Sequence, residues 1–222
     1  MNTPNKTLID LNDDCLMEIL QYLTIQETFH LMSLHSRFQD VTYERIAQLK
    51  HFEVNFRELP EFTTWQLEII GQNLKSLYIS AGYSLPTDLI LQYLKPICSQ
   101  ATHLNTLKLH YFQFDEECQK CLLALAPQIQ DLNLNYCQLT DELLEPILKN
   151  CQKLQFLSLL GNYTLKCDSL KSLNSKYLKQ VQVEQNAFSR DAIQSYVADN
   201  PQVSVKVYSQ GRLNFNVYGP SE

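Results

Sequence analysis

The chain has 222 residues, of which 45% are hydrophobic and 19% charged, and its formal net charge is −6. That length and apolar fraction suit one or two folded domains with a sizeable core and argue against disorder. The acidic balance offers no pull toward nucleic acid or an anionic membrane, so neither is an expected partner. Seven cysteines, an odd number, are spread along the chain rather than grouped as in small secreted frameworks. Met1 to Leu11 lacks a basic stretch followed by an apolar run, and apolar runs such as Cys121 to Ala126 are too short to span a bilayer. A soluble, reduced, intracellular protein, cytoplasmic or nuclear, is the expectation.

Residues 8–49 read as three short helices. Leu16, Ile19, Leu20 and Leu23 share one helical face, with Asn12 or Asp13 as the cap. Thr24-Ile-Gln-Glu27 predicts a capping box opening a second helix with Phe29, Leu31, Met32 and Leu34. Ser36-Arg-Phe-Gln39 predicts another, opening a third with Phe38, Val41 and Ile46. Three helices this short cannot bury so much apolar surface among themselves, so a partner or the next segment must cover the rest.

From residue 50 onward a different pattern takes over. L-x-x-L-x-L recurs as Leu74/Leu77/Ile79, Leu104/Leu107/Leu109, Ile129/Leu132/Leu134, Leu154/Leu157/Leu159 and Leu178/Val181/Val183. The middle positions, 77, 107, 132, 157 and 181, are 30, 25, 25 and 24 residues apart. A period of that size predicts a solenoid whose units bury their apolar faces only by stacking. Each L-x-L alternates as a half-buried strand does, and the apolar spacing after it is helical. Asp115, Thr140 and Ser189 stand where those helices would be capped. Val54/Phe56 and Val205/Val207 extend the period outward, for about seven strands. Gln210-Gly211 followed by Leu213 to Val217 predicts a hairpin covering the last edge.

L-x-x-L-x-L-x-x-[N/C] resembles the leucine-rich repeat, with Phe112, Cys137, Asn162 and Asn186 in the ninth position; Cys137 and Cys151 resemble the cysteine-containing subclass. Leu11, Asp14, Leu16, Ile19 and Leu23 resemble the F-box outline, with Phe38 where Trp is common and Asn12 where Pro is usual. The combination implies an α/β fold: a small three-helix F-box over 8–49, then a leucine-rich repeat solenoid over 50–209 with strands concave and helices convex. Residues 210–222 would cap it. The resemblance further implies the substrate-recognition subunit of an SCF-type cullin–RING ubiquitin ligase. Leu11, Leu16, Ile19, Leu23 and Phe38 would bind the Skp-type adaptor, and through it the cullin and RING subunits, while the repeats hold an unknown protein substrate. The alternative is a non-catalytic leucine-rich-repeat scaffold independent of ubiquitination.

Alternation predicts which side chains face a substrate. Asn55, Tyr78, Lys108, Asn133, Ser158, Gln182 and Lys206 lie between the two core positions of each unit. Arg57, Ser80, His110, Asn135, Leu160, Glu184 and Tyr208 lie one step after the second. Tyr78, Leu160 and Tyr208 would be anchors in a polar row, and Tyr111 and Tyr136 would form a small ladder on the rim. A solvated face with no dedicated partner is the competing reading. Six lysines between Lys149 and Lys179 form a basic patch. Cys118-Gln-Lys-Cys121 has metal-like spacing, but on a repeat helix it reads as core packing. No catalytic, phosphate-binding or metal motif is present, and no cofactor is expected.

Overall fold

The computed structural model describes residues 7–56, 61–82, 85–165, 168–173, 175–185, 189–209 and 215–220. A 3-10 turn at Leu8–Asp10 leads into α1 (Asp13–Leu20), α2 (Ile25–Leu34) and α3 (Arg37–Ala47). Asn12 caps α1 by accepting from the Cys15 amide at 2.9 Å. Thr24 and Glu27 form the reciprocal box on α2. Both satisfy donors that a helix start leaves orphaned. The box expected at Ser36 does not form: Ser36 is itself helical and makes no side-chain cap bond. His35 replaces it, its Nδ1 accepting from the Arg37 amide at 3.0 Å.

Seven strands then pair in parallel and in chain order: β1 (His51–Asn55), β2 (Ser76–Ser80), β3 (Thr106–His110), β4 (Asp131–Asn133), β5 (Phe156–Ser158), β6 (Gln180–Glu184) and β7 (Ser204–Tyr208). Parallel neighbours require a crossover, and helices supply it. These are α4 (Thr64–Gly71), α5 (Thr87–Gln100), α6 (Glu116–Leu125), α7 (Asp141–Asn150), α8 (Asp168–Lys171) and α9 (Arg190–Asp199). The single 30-residue step falls where α5, at 14 residues, outgrows the 10 of α6, α7 and α9. A last strand, β8 (Phe215–Tyr218), runs antiparallel on β7 and covers the edge that would otherwise invite pairing. The turn expected at Gln210-Gly211, and Leu213, lie outside the described residues.

The register at the first strand corrects the sequence reading. Phe52 pairs with Leu77 and Val54 with Ile79, so the step is 25 residues and the pair is Phe52/Val54, not Val54/Phe56. Phe52, Val54 and Phe56 are all buried, and three alternating apolar residues fit two registers equally well. Glu53 therefore joins the row of Tyr78, and Asn55 moves to the row of Ser80. Arg57 and Asn186 lie outside the described residues.

In two of the described units the ninth residue ties neighbouring turns together by hydrogen bonds. Asn162 Oδ1 accepts from the Cys137 and Leu139 amides, both at 3.1 Å, and its Nδ2 donates to the carbonyls of Leu134 (2.7 Å) and Leu159 (3.0 Å). One buried amide thus answers backbone groups that water cannot reach. The Cys137 thiol does part of this by donating to the Leu109 carbonyl at 3.1 Å. Phe112 replaces the polar bonds with apolar filling and is fully buried beside Phe114. Asp115 and Ser189 cap α6 and α9 as expected, whereas Thr140 makes no cap bond.

Candidate docking and recognition surfaces

The helical segment divides its apolar residues between two cores and the solvent. Leu16, Leu20, Phe38 and Val41 pack together, with Leu11, Met17, Leu23 and Leu31 half-buried against them. This corrects the expectation that Leu16 and Phe38 offer a docking surface: they are 1% and 5% exposed and form the centre of the helical core. Arg37 closes that core by donating to the Leu11 carbonyl at 3.1 Å and pairing with Asp13. Ile19, at 37% exposure, remains available, and two residues the sequence reading did not select are more open still, Tyr22 at 83% and Leu34 at 62%. Both stand at helix ends: Tyr22 lies just beyond α1, and Leu34 is the last residue of α2.

Phe29, Met32 and Ile46 belong instead to the main core, which runs through every repeat. Around them the Phe29 ring lies 6.3 Å from Phe62 and 5.9 Å from Trp65, Phe52 lies 5.7 Å from Phe62, and Tyr43 lies 6.1 Å from Trp65. Helices and solenoid therefore share one continuous packing.

On the strands, Tyr78, Lys108, Asn133, Ser158, Gln182 and Lys206 align across the sheet in one row. Tyr78 and Asn133 are joined through His110, whose Nδ1 lies 3.2 Å from the Tyr78 hydroxyl and whose Nε2 lies 2.9 Å from Asn133 Oδ1. Burial holds the His110 pKa below its ordinary value, against the opposing pull of the Asn133 bond. The ring is then neutral, with Nε2–H donating to Asn133 and Nδ1 accepting from Tyr78. Lys108, Gln182, Leu160 and Tyr208 are half-buried, and Tyr208 lies 5.1 Å from the Phe215 ring.

Three expected contact residues are buried instead. Asn135 Oδ1 accepts from Ser158 Oγ and from the Leu160 amide, both at 2.8 Å, so Asn135 and Ser158 use their polar atoms within the fold. Glu184 is buried too, but its Oε2 has no hydrogen-bond partner among the described residues. Asp131, which the sequence reading passed over, is half-buried, with Oδ1 unpartnered among the described residues; burial raises its pKa and the Lys108 charge opposes the rise. On the rim, Tyr111 and Tyr136 stack at 4.8 Å and 11°, each in the left-handed backbone region (φ 61° and 57°) that side chains rarely adopt.

The family model described as FBD-associated F-box protein At5g56370, LRR repeats, matches residues 62–208. The chain belongs to the F-box/leucine-rich-repeat family. The match runs from the approach to α4 through β7, and α1–α3 precede it. No curated protein matches the chain.

Elsewhere, burial in this F-box/leucine-rich-repeat chain favours the protonated form of the inner thiols. Burial pushes Cys118 and Cys151 up to about 12 and raises Cys98 and Cys137 as well. A thiol held protonated is a poor nucleophile and metal ligand. Among the described residues no group of three or more His, Cys, Asp and Glu is placed to hold a metal ion, and no helix is long and apolar enough to cross a membrane. In the lysine-rich stretch, Lys149 pairs with Glu145 at 2.7 Å and Lys176 lies over the Tyr177 ring at 5.1 Å.

Proposed function

We propose that this protein is a non-catalytic substrate-recognition subunit of an SCF-type cullin–RING ubiquitin ligase. Helices α1–α3 dock a Skp-type adaptor, and through it cullin and RING subunits, while the concave face holds the protein to be ubiquitinated. The observation that carries the reading is the outward apolar set of Ile19, Tyr22 and Leu34, on helices built into the end of a repeat solenoid of an F-box-associated family. Apolar side chains of that size left in water on a folded segment are the usual material of an interface. The subunit makes no bond itself. It raises the effective concentration of a substrate lysine beside a charged ubiquitin-conjugating enzyme.

The test is capture of the purified Skp adaptor by the full chain, compared with an Ile19→Asp/Tyr22→Asp variant. Wild type binds at micromolar concentration or better, and the variant, which leaves the buried Leu16–Phe38 cluster intact, loses most of that binding. Failure of wild type to capture the adaptor would leave a repeat scaffold independent of ubiquitination.

A further inference from the structure

Glu184 closes β6 at the rim of the concave face, 6% exposed, with one carboxylate oxygen that no group among the described residues satisfies. An ionised carboxylate in that state is unfavourable, and a fold normally supplies it with a cation. Here the ion pairs seen in the solenoid, Lys95 and Lys120 with Glu117 and Lys149 with Glu145, all lie on the convex helices. Tyr208 flanks Glu184 on β7, and Leu160 follows β5 on its other side.

Tyr136 stands one unit further along the same rim. Burial, and then the Glu184 charge, raise its phenol pKa. Its position is held firmly. Tyr111 stacks on it, and its own amide donates to the Leu160 carbonyl at 2.7 Å. Gly161 (φ +72°) makes room for the ring, because a Cβ there would sit 2.0 Å from Tyr136 Cδ1. Two left-handed residues and a glycine thus fix an aromatic wall on the rim beside the Glu184 strand.

We infer that this part of the concave face receives a cationic side chain, lysine or arginine, of the target protein. The inference rests on the recognition role proposed above and names the chemistry of what is recognised. A cation brings N–H donors to the Glu184 carboxylate and a charge that tyrosine faces attract. A phosphorylated or acidic segment would meet Glu184 as a like charge.

The test is selection of displayed random peptides on the full chain and on Glu184→Gln, with Glu116→Gln on convex α6 as control. Wild type and the control enrich sequences with lysine or arginine at one fixed position, and Glu184→Gln loses that position. For an enriched peptide, neutralising the basic residue weakens binding to wild type by about tenfold or more and changes binding to Glu184→Gln little, since a charged hydrogen bond is worth about 1.5–3 kcal/mol. Lysine and arginine versions compared directly tell which cation fits better. Removing an unpaired buried charge leaves the melting temperature of Glu184→Gln equal or higher. Pools with no basic position, no enrichment at all, equal pools on both chains, or a variant that melts several degrees lower would each overturn the inference. Adaptor capture on the same preparations separates the cases: adaptor binding without cation selection sinks only this inference, and cation selection without adaptor binding sinks only the ligase reading.

Discussion

Asn162→Ala removes the side chain on which one junction of the solenoid depends. Its amide makes four bonds of 3.1 Å or less to backbone groups of Cys137, Leu139, Leu134 and Leu159, all within a buried site. Alanine leaves two interior N–H groups without an acceptor. Each orphaned donor costs about 1–3 kcal/mol, so the total loss is about 2–6 kcal/mol. For a chain of this size each kcal/mol lowers the melting temperature by about 2–4 °C, which predicts a fall of roughly 4–24 °C. Because repeats contact only their neighbours, the loss is local. Hydrogen exchange should accelerate at the Cys137 and Leu139 amides and hardly change in β1 and β2. The same turn carries Tyr136 and Gly161, so recognition on that rim should weaken too. A melting shift below about 2 °C, with protection unchanged at both amides, would refute the reasoning.

Leu16→Ala, in the helical core, should destabilise by about 2–5 kcal/mol, whereas Ile19→Ala on the exposed side should cost less than about 1 kcal/mol and weaken adaptor capture; denaturant unfolding of the two variants decides, and equal losses would contradict the assignment of faces. His110 should titrate by NMR below its ordinary value of about 6.5, and Asn133→Ala should lower it further because the bond from Asn133 raises it. Since the folded-state pKa is depressed, the stability tied to His110 is fully present above about pH 6.5 and is lost as pH falls through the folded value; thermal melts across that window check the sign. Iodoacetamide at pH 8 should label exposed Cys15 in the native protein, and Cys118, Cys137 and Cys151 only on unfolding. Fast native labelling of any of those three would contradict their burial.

The strands from Leu77 to Val207 were readable because each unit repeats one L-x-L whose alternation fits a half-buried sheet and nothing else of that length. The register of β1 was not, since Phe52, Val54 and Phe56 offer two equivalent alignments and only packing against Leu77 and Ile79 chooses between them. Alternation also gives a direction but not a depth. Asn135, Ser158 and Glu184 lie in the rows assigned to them, yet the first two turn their polar atoms onto neighbouring backbone and side chains, and all three are buried. The same limit applies to α1, where the helical period groups Leu16 and Ile19 on one face although the Phe38 ring shields only the first. Caps divide similarly: Thr24 finds its partner at the right distance, whereas Ser36 is drawn into helical geometry and His35 takes its place.

The junction between α1–α3 and the repeats bears on how two separate surfaces can serve one task. Phe29, Met32 and Ile46 sit in the same core as β1 and α4, and the rings of Phe29, Phe62, Phe52, Tyr43 and Trp65 interlock across the boundary. Packed interiors resist deformation, so the exposed side of α1 and the concave rows hold a fixed distance and angle. A flexible tether would allow both bindings but would spread the bound target over many positions, and effective concentration at any one point falls as that volume grows. Under the proposed role, residues that look like ordinary core at the boundary would serve recognition as well, by converting two independent affinities into a defined placement.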